Sequence, residues 1–304
     1  MKSIGLNYAV TVVIGMFVAL MSCNKEDDIP PLPVTIEDIT FENFPVLDGS
    51  TTARLLINAI AYNLLGATFE NSPYGFYAKH LQTSQTHGAF INLIDKKADL
   101  IFSARTMSAD EKAYAAKAGV RLIETPIALD ALIFIVHPDN RIESLTHKQL
   151  QDIYTGKIKN WEDVGGNNAP ITPYVRNKNS GSQELMEALL LDEPISNNFP
   201  EDNIMNGMML ILSAVQMNVN GLGYTVAYYR TIMHSDFEGI KTLAVNGIYP
   251  DNETIKNREY PYASEFYAII RADLPQSSMA YNVYEWIQTE EGKQVISESG
   301  YIPL

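Results

Sequence analysis

Cysteine is almost missing from this chain of 304 residues. The only one is Cys23, so an intrachain disulfide and a cysteine-rich metal site are both excluded. Basic residues are in deficit, 22 lysines and arginines against 36 acids, and a formal charge of −14 leaves no basic stripe for nucleic acid. A small anion is still compatible, because local dipoles and one arginine can hold it in a field that is negative overall. Histidine is scarce too. His80, His87, His137, His147 and His234 show no paired metal spacing and no His-Glu-x-x-His motif. Gly-x-Ser-x-Gly and P-loop signatures are also absent. These gaps point away from an enzyme and towards a binding protein with no cofactor and no metal.

What is present begins at the N-terminus. After Lys2 an apolar run from Tyr8 to Met21 is short for a membrane span and fits the core of a signal peptide. Its ending, Leu20-Met-Ser-Cys23, resembles a bacterial lipobox, in which the cysteine is lipidated and becomes the first mature residue. The acidic Asn24–Asp28 and the proline-rich Pro30–Pro33 then read as a hydrophilic tether and a stiff spacer. The expectation is a signal peptide over 1–22, a lipidated tether over 23–34, and a protein anchored in the bacterial cell envelope, periplasmic or surface-exposed. An ordinary signal peptide and an anchor helix are the alternatives.

Strand and helix patterns alternate from Val34 onward. Phe44–Leu47 reads as a buried strand, Asp48-Gly-Ser-Thr-Thr52 as a turn, and Ala53–Leu65 as a helix that Gly66 can end. Gly88–Ala98 reads as a helix, Leu100–Phe102 as a strand and Ser103–Met107 as the turn after it. Ser108 has capping-box spacing to Glu111, for a helix that Gly119 ends. Two extended segments follow, Val120–Thr125 and Ile127–Val136, the second apolar except for Asp130. Thr146 caps a helix through Tyr154, a polar loop covers Asp192–Asp202, and a helix covers Ile204–Gln216. Tyr262–Arg271 is strand-like, and Met279–Ser297 is the last helix. The class is α/β with mostly parallel sheets flanked by helices, and ligands of such sheets sit beyond the carboxyl ends of strands.

One stretch stands out. Tyr174–Leu191 runs from an extended lead-in through a polar turn into an apolar-periodic helix, with Ser180, Gly181 and Ser182 at the helix start and Arg176 just upstream. Unpaired N–H groups, two hydroxyls and a guanidinium make a natural anion seat. A plain helix cap with a surface arginine explains the same residues. The turn carrying Ser50 and Thr51 repeats this strand–turn–helix grammar, and Ser103 occupies a third turn of the same kind. Asp130, inside an apolar strand, must be paired, protonated or facing a cleft.

Taken in order, these segments resemble the phosphate-binding solute receptors of ABC transporters, which are type II two-domain periplasmic binding proteins. The resemblance runs from Leu47 to Leu304. It rests on Asp48–Thr52, Ala98–Arg105, Ile127–Leu132 with Val136–Asn140, Leu150–Trp161, Arg176–Ser182, Gly221–Tyr224, Tyr260–Tyr262 and Gly300–Pro303. It implies one domain over 35–125 plus 262–304 and another over 126–261, with hinge crossings near Thr125–Leu129 and Tyr260–Ser264. It also implies a monomer that binds phosphate or a similar oxyanion and delivers it to an ABC permease. Ser50 and Thr51 would face Arg176, Ser180, Gly181 and Ser182 across the cleft, with Ser103 as a further contact. Some members carry an aspartate, which accepts the ligand's proton, in the turn that here reads Ser103-Ala-Arg105. Asp130 is then the first candidate acceptor and Asp48 the second, a hinge or capping role being the alternative for each. Arg105 reads as a second cationic contact or a salt-bridged rim residue, and His87 as a ligand contact or a helix cap. Two other readings of the whole remain at this point: a surface capture or sensing protein without a permease, and a hydrolase of phosphorylated substrates.

Overall fold

The computed structural model describes residues 36–191 and 199–304. The expected signal peptide, the lipidation at Cys23, the tether and most of the Asp192–Asp202 loop lie outside the described residues. Those described belong to one unit, Pro33–Leu304.

An eight-stranded sheet runs through it: β1 (Leu47–Gly49), β2 (Leu100–Ser103), β3 (Leu122–Val136), β4 (Thr172–Pro173), β5 (Gly221–Val226), β6 (Lys241–Thr242), β7 (Ala263–Arg271) and β8 (Ile302–Pro303). The order is β1-β2-β7-β3-β5-β4, with β6 and β8 also on β3. The outer pairs β1–β2 and β4–β5 are parallel, as strand–turn–helix units require. The two long strands β3 and β7 run antiparallel to each other and to their other neighbours, so the sheet is mixed where they cross it. β3 joins the two extended segments expected around Pro126 into one strand of 15 residues. Pro126 has no N–H to donate, and the register shifts at that point, opposite Phe266 and Tyr267.

Among the described residues, nine helices of six residues or more flank the strands: α1 (Arg54–Leu65), α2 (Gln85–Ile94), α3 (Ala109–Ala118), α4 (His147–Tyr154), α5 (Gly181–Leu190), α6 (Met208–Met217), α7 (Ala227–Ile232), α8 (Met279–Trp286) and α9 (Glu290–Glu298). Local chemistry sets several of their ends. Gly66 closes α1 at φ 65°, where a side chain would be strained. Ser108 and Thr146 open α3 and α4 through capping boxes. Two expectations are corrected. The helix over Ile204–Gln216 begins only at Met208, because Ile204–Met205 pairs as a strand with Val175–Arg176 and Gly207 is extended. The single last helix is two, since Thr289 leaves the helix and its hydroxyl accepts the Gly292 N–H to start α9.

Buried side chains gather in two main clusters. One holds Phe44, Leu56, Ile60, Phe102, Phe266, Ile296 and Tyr301. The other holds Phe134, Leu150, Tyr154, Trp161, Met186, Leu212 and Tyr224. β3 passes from the first cluster at Ala128 to the second at Leu129, and the chain returns between Tyr262 and Phe266. Stacking of Tyr228 on Tyr301, 3.7 Å between ring centres, adds a contact near these crossings.

Candidate functional site

The polar turns meet where β1 and the Val175–Arg176 strand each run into a helix start. After β1, Ser50 is extended and Thr51–Ala53 forms a 3-10 turn that continues into α1. After Val175–Arg176, the turn passes through Asn179 in the left-handed region (φ 71°) to Ser180, again extended, and α5 begins at Gly181. Neither Ser50 nor Ser180 uses its side chain to cap the helix it precedes. The first N–H groups of each helix have no carbonyl partner within the helix and are open to a ligand.

Six of the sequence-expected residues line one small cavity, of about 30 Å³: Ser50 and Thr51 on one side, Arg176, Ser180, Gly181 and Ser182 on the other. Thr52, Gln85 and Thr86 line it as well and were missed. Thr52 pairs with Ser50 through their hydroxyls at 2.8 Å, and Ser180 with Ser182 at 3.1 Å. Such hydroxyl pairs can turn to donate to an anion or accept its proton. Gly181 is required by space: a Cβ there would overlap Thr86 Oγ1 and sit 2.9 Å from Thr86 Cβ. Thr86 belongs to α2, so the two sides of the cavity touch at this glycine. No rule of turn or cap would single out Thr86 in the sequence.

Arg176 is the dominant charge. It is 7% exposed. Its Nε donates to the Met205 carbonyl at 2.9 Å and Nη1 to Ser182 Oγ at 3.3 Å. Its backbone N–H is shared by Gln183 Oε1 and the Tyr224 hydroxyl at 2.8 and 2.9 Å. Among the described residues it makes no ion pair with a carboxylate, whereas Arg105, Arg258 and Arg271 all do. Burial pushes its pKa down, partly offset by Tyr224 and Tyr229. A buried guanidinium with no counter-charge is costly unless an anion supplies one.

The remaining candidates lie elsewhere. Ser103 is buried and does not line the cavity; its Oγ accepts the Arg105 N–H at 3.2 Å and so holds the turn. Asp130 borders a separate cavity of about 160 Å³, with Tyr228 and Tyr301. Its Oδ1 accepts the N–H groups of Ala131 (2.8 Å) and Tyr228 (3.0 Å), so it caps the start of α7 from β3. Burial pushes its carboxyl up to about 6, against the lowering effect of those backbone donors. Asp48 is saturated: Oδ1 accepts from Gly49 and Ser84 N–H, both at 2.7 Å, and Oδ2 from Asn92 Nδ2 at 2.8 Å. Neither aspartate reaches the cavity as an acceptor in this structure. Arg105 is a buried salt-bridged residue, paired with Glu111 and Glu184. His87 Nδ1 lies 3.0 Å from Glu111 Oε1 and does not line the cavity.

No group of three or more His, Cys, Asp and Glu side chains suited to a metal occurs among the described residues. None of the described helices is long and apolar enough to cross a membrane.

Known proteins share this architecture. The fold matches an ABC-type phosphate transport receptor from Vibrio cholerae with a TM-score of 0.64 at 22% identity, over 86% of this chain and 99% of that one. In sequence, the phosphate-binding protein PstS of Borreliella burgdorferi is 28% identical over 219 residues, 70% of this chain and 75% of the relative. PstS of Bacillus subtilis is 25% identical over 186 residues, 60% of this chain and 58% of the relative, so little more than half of that protein is spanned. The model of the PBP superfamily domain matches residues 48–291, from the turn that carries Ser50 to the first turn of α9, and the chain belongs to that superfamily.

Proposed function

We propose that this chain is an extracytoplasmic receptor that captures an oxyanion, phosphate first, and hands it to an ABC-type importer. The observation that carries the reading is Arg176: a buried guanidinium without an acidic partner among the described residues, set between two helix starts whose side chains leave the N–H groups open. A tetrahedral dianion supplies the missing counter-charge and accepts from N–H groups, hydroxyls and guanidinium together. The phosphate-binding names of the relatives point the same way.

The mechanism follows from how the site is divided. Ser50, Thr51 and Thr52 come with the first buried cluster, Arg176 and Ser180–Ser182 with the second. Two lobes, 35–125 plus 262–304 and 126–261, would move about the β3 and β7 crossings and close on the ligand. Closure excludes water, which strengthens every charge-assisted bond to the anion. The neutral oxygens of the lining, the hydroxyls of Ser50, Thr51, Thr52, Thr86, Ser180 and Ser182 and the amide of Gln85, can accept the proton of hydrogen phosphate and so take the role first sought at Asp130 and Asp48. With the signal peptide removed, the lipid on Cys23 and the tether would hold this monomeric receptor to the membrane.

Thermal denaturation of the purified protein with phosphate, sulfate, molybdate and a chromogenic phosphoester tests the reading. Expected is a melting temperature that rises with phosphate concentration and no product from the ester. A melting temperature indifferent to millimolar phosphate, or steady product release, would overturn it.

A further inference from the structure

Beside the cavity, Arg105 makes a second set of contacts between the same two sides. It sits in the turn after β2, over the face of Phe90 at 5.3 Å. Its two Nη atoms bind Glu111 of α3 as a fork, at 2.7 and 2.9 Å. Nη2 also forms an ion pair with Glu184, which stands in the first turn of α5, two residues beyond Ser182. One guanidinium therefore serves two carboxylates. Glu111 is fully buried and is held further by the Ser108 N–H (2.9 Å) and His87 Nδ1 (3.0 Å), whereas the Glu184 side chain is 20% exposed. Glu111 has the better geometry, so it neutralises Arg105, and Glu184 is left as the surplus charge.

We propose that closing the cleft loads one proton from solvent onto Glu184, so that anion capture is coupled to acidity. The coupling rests on the anion-receptor reading above, while the three-membered clasp itself does not.

The charges decide the direction. In an opened cleft the first turn of α5 faces water, and Glu184 behaves as an ordinary glutamate. In the closed structure it is mostly buried, with Glu111 and Asp110 of α3 repelling its charge and Arg105 and His87 (α2) favouring it. Burial wins and pushes its carboxyl up to about 7. A carboxyl raised on closure favours the closed form below that value, and the gain is lost as pH rises through it. Protonation also removes a negative charge beside the helix start that must receive a dianion, so both effects have the same sign.

The test compares the wild type with Glu184→Gln, which keeps the shape and removes the titration. Calorimetric titration with phosphate should show affinity falling by an extra factor of about ten in the wild type between about pH 6 and about pH 8.5, with proton uptake that the variant lacks. Phosphate's own ionisation is common to both proteins and cancels in the difference. Small-angle scattering of the ligand-free proteins reads the clasp alone: the wild type should be more compact at the lower pH, and the variant's radius should not change with pH. Identical pH profiles and identical proton counts in the two proteins would overturn the coupling. If neither protein bound phosphate, the receptor reading would fall, and the clasp would stand or fall on the scattering alone.

Discussion

Two arginines, Arg105 and Arg176, are almost equally buried, at 8% and 7% exposed, and are provided for in opposite ways. Arg105 has more carboxylate than it needs, Glu111 in a fork and Glu184 across the gap. Arg176 has a carbonyl, a serine hydroxyl and no carboxylate among the described residues. Burial costs both guanidiniums their hydration. At Arg105 the protein repays that cost internally, which marks a structural contact. At Arg176 it does not, and neither Ser50 nor Ser180 caps the helix start beside it with its side chain. On the receptor reading proposed above, the difference separates an arginine that holds the molecule together from one that meets a ligand.

Replacing each arginine should therefore damage a different property. Arg105→Ala strands the fully buried Glu111 and should cost about 3–5 kcal/mol of stability, read by urea denaturation. A loss under about 1 kcal/mol would mean that the pair is no stronger than a surface bridge. Arg176→Ala should leave stability unchanged or slightly higher and remove about 2–5 kcal/mol of phosphate binding, read by calorimetry. If instead Arg176→Ala unfolded the protein and Arg105→Ala abolished binding, the contrast would be reversed and the site misassigned.

Smaller changes sharpen the same contrast. Gly181→Ala places a methyl group against Thr86, where the two sides meet, and should cost about 1–3 kcal/mol of closure, seen as weaker phosphate binding. Thr86→Ala alongside it should restore part of that loss, because the hydroxyl and the methyl that oppose the added Cβ are both removed. The smallest effects concern the caps. Thr146 accepts the Gln149 N–H at 3.2 Å, so Thr146→Ala should lower stability by about 1 kcal/mol. Ser180 makes no such bond, and Ser180→Ala should cost binding and leave the melting temperature of the ligand-free protein nearly unchanged.

Legibility in the sequence followed the range of the interaction. Ser50, Thr51, Arg176, Ser180, Gly181 and Ser182 were readable because a strand–turn–helix unit is local: an extended lead-in, a small polar turn and an apolar period occupy consecutive residues. The capping boxes at Ser108 and Thr146 were readable for the same reason. Thr86 was not, because its contact with Gly181 joins positions 95 residues apart through tertiary packing alone. Asp130 was visible as a carboxylate in an apolar strand, and the sequence could not say that the N–H of Tyr228 would take it up as the cap of α7. Glu184 drew no reading from the sequence, because only the fold brings Arg105 beside it from another part of the chain. The extended start of the Ile204–Gln216 segment was hidden by its apolar period, which does not register that Ile204–Met205 has a strand partner in Val175–Arg176.

The most direct measurement is a crystal structure of the protein grown with phosphate. The account predicts one phosphate in the cavity, bonded to Arg176 and to the first N–H groups of α5, and bridged to Ser50 and Thr51. A phosphate held elsewhere, with Arg176 still bonded only to the Met205 carbonyl and Ser182, would contradict it.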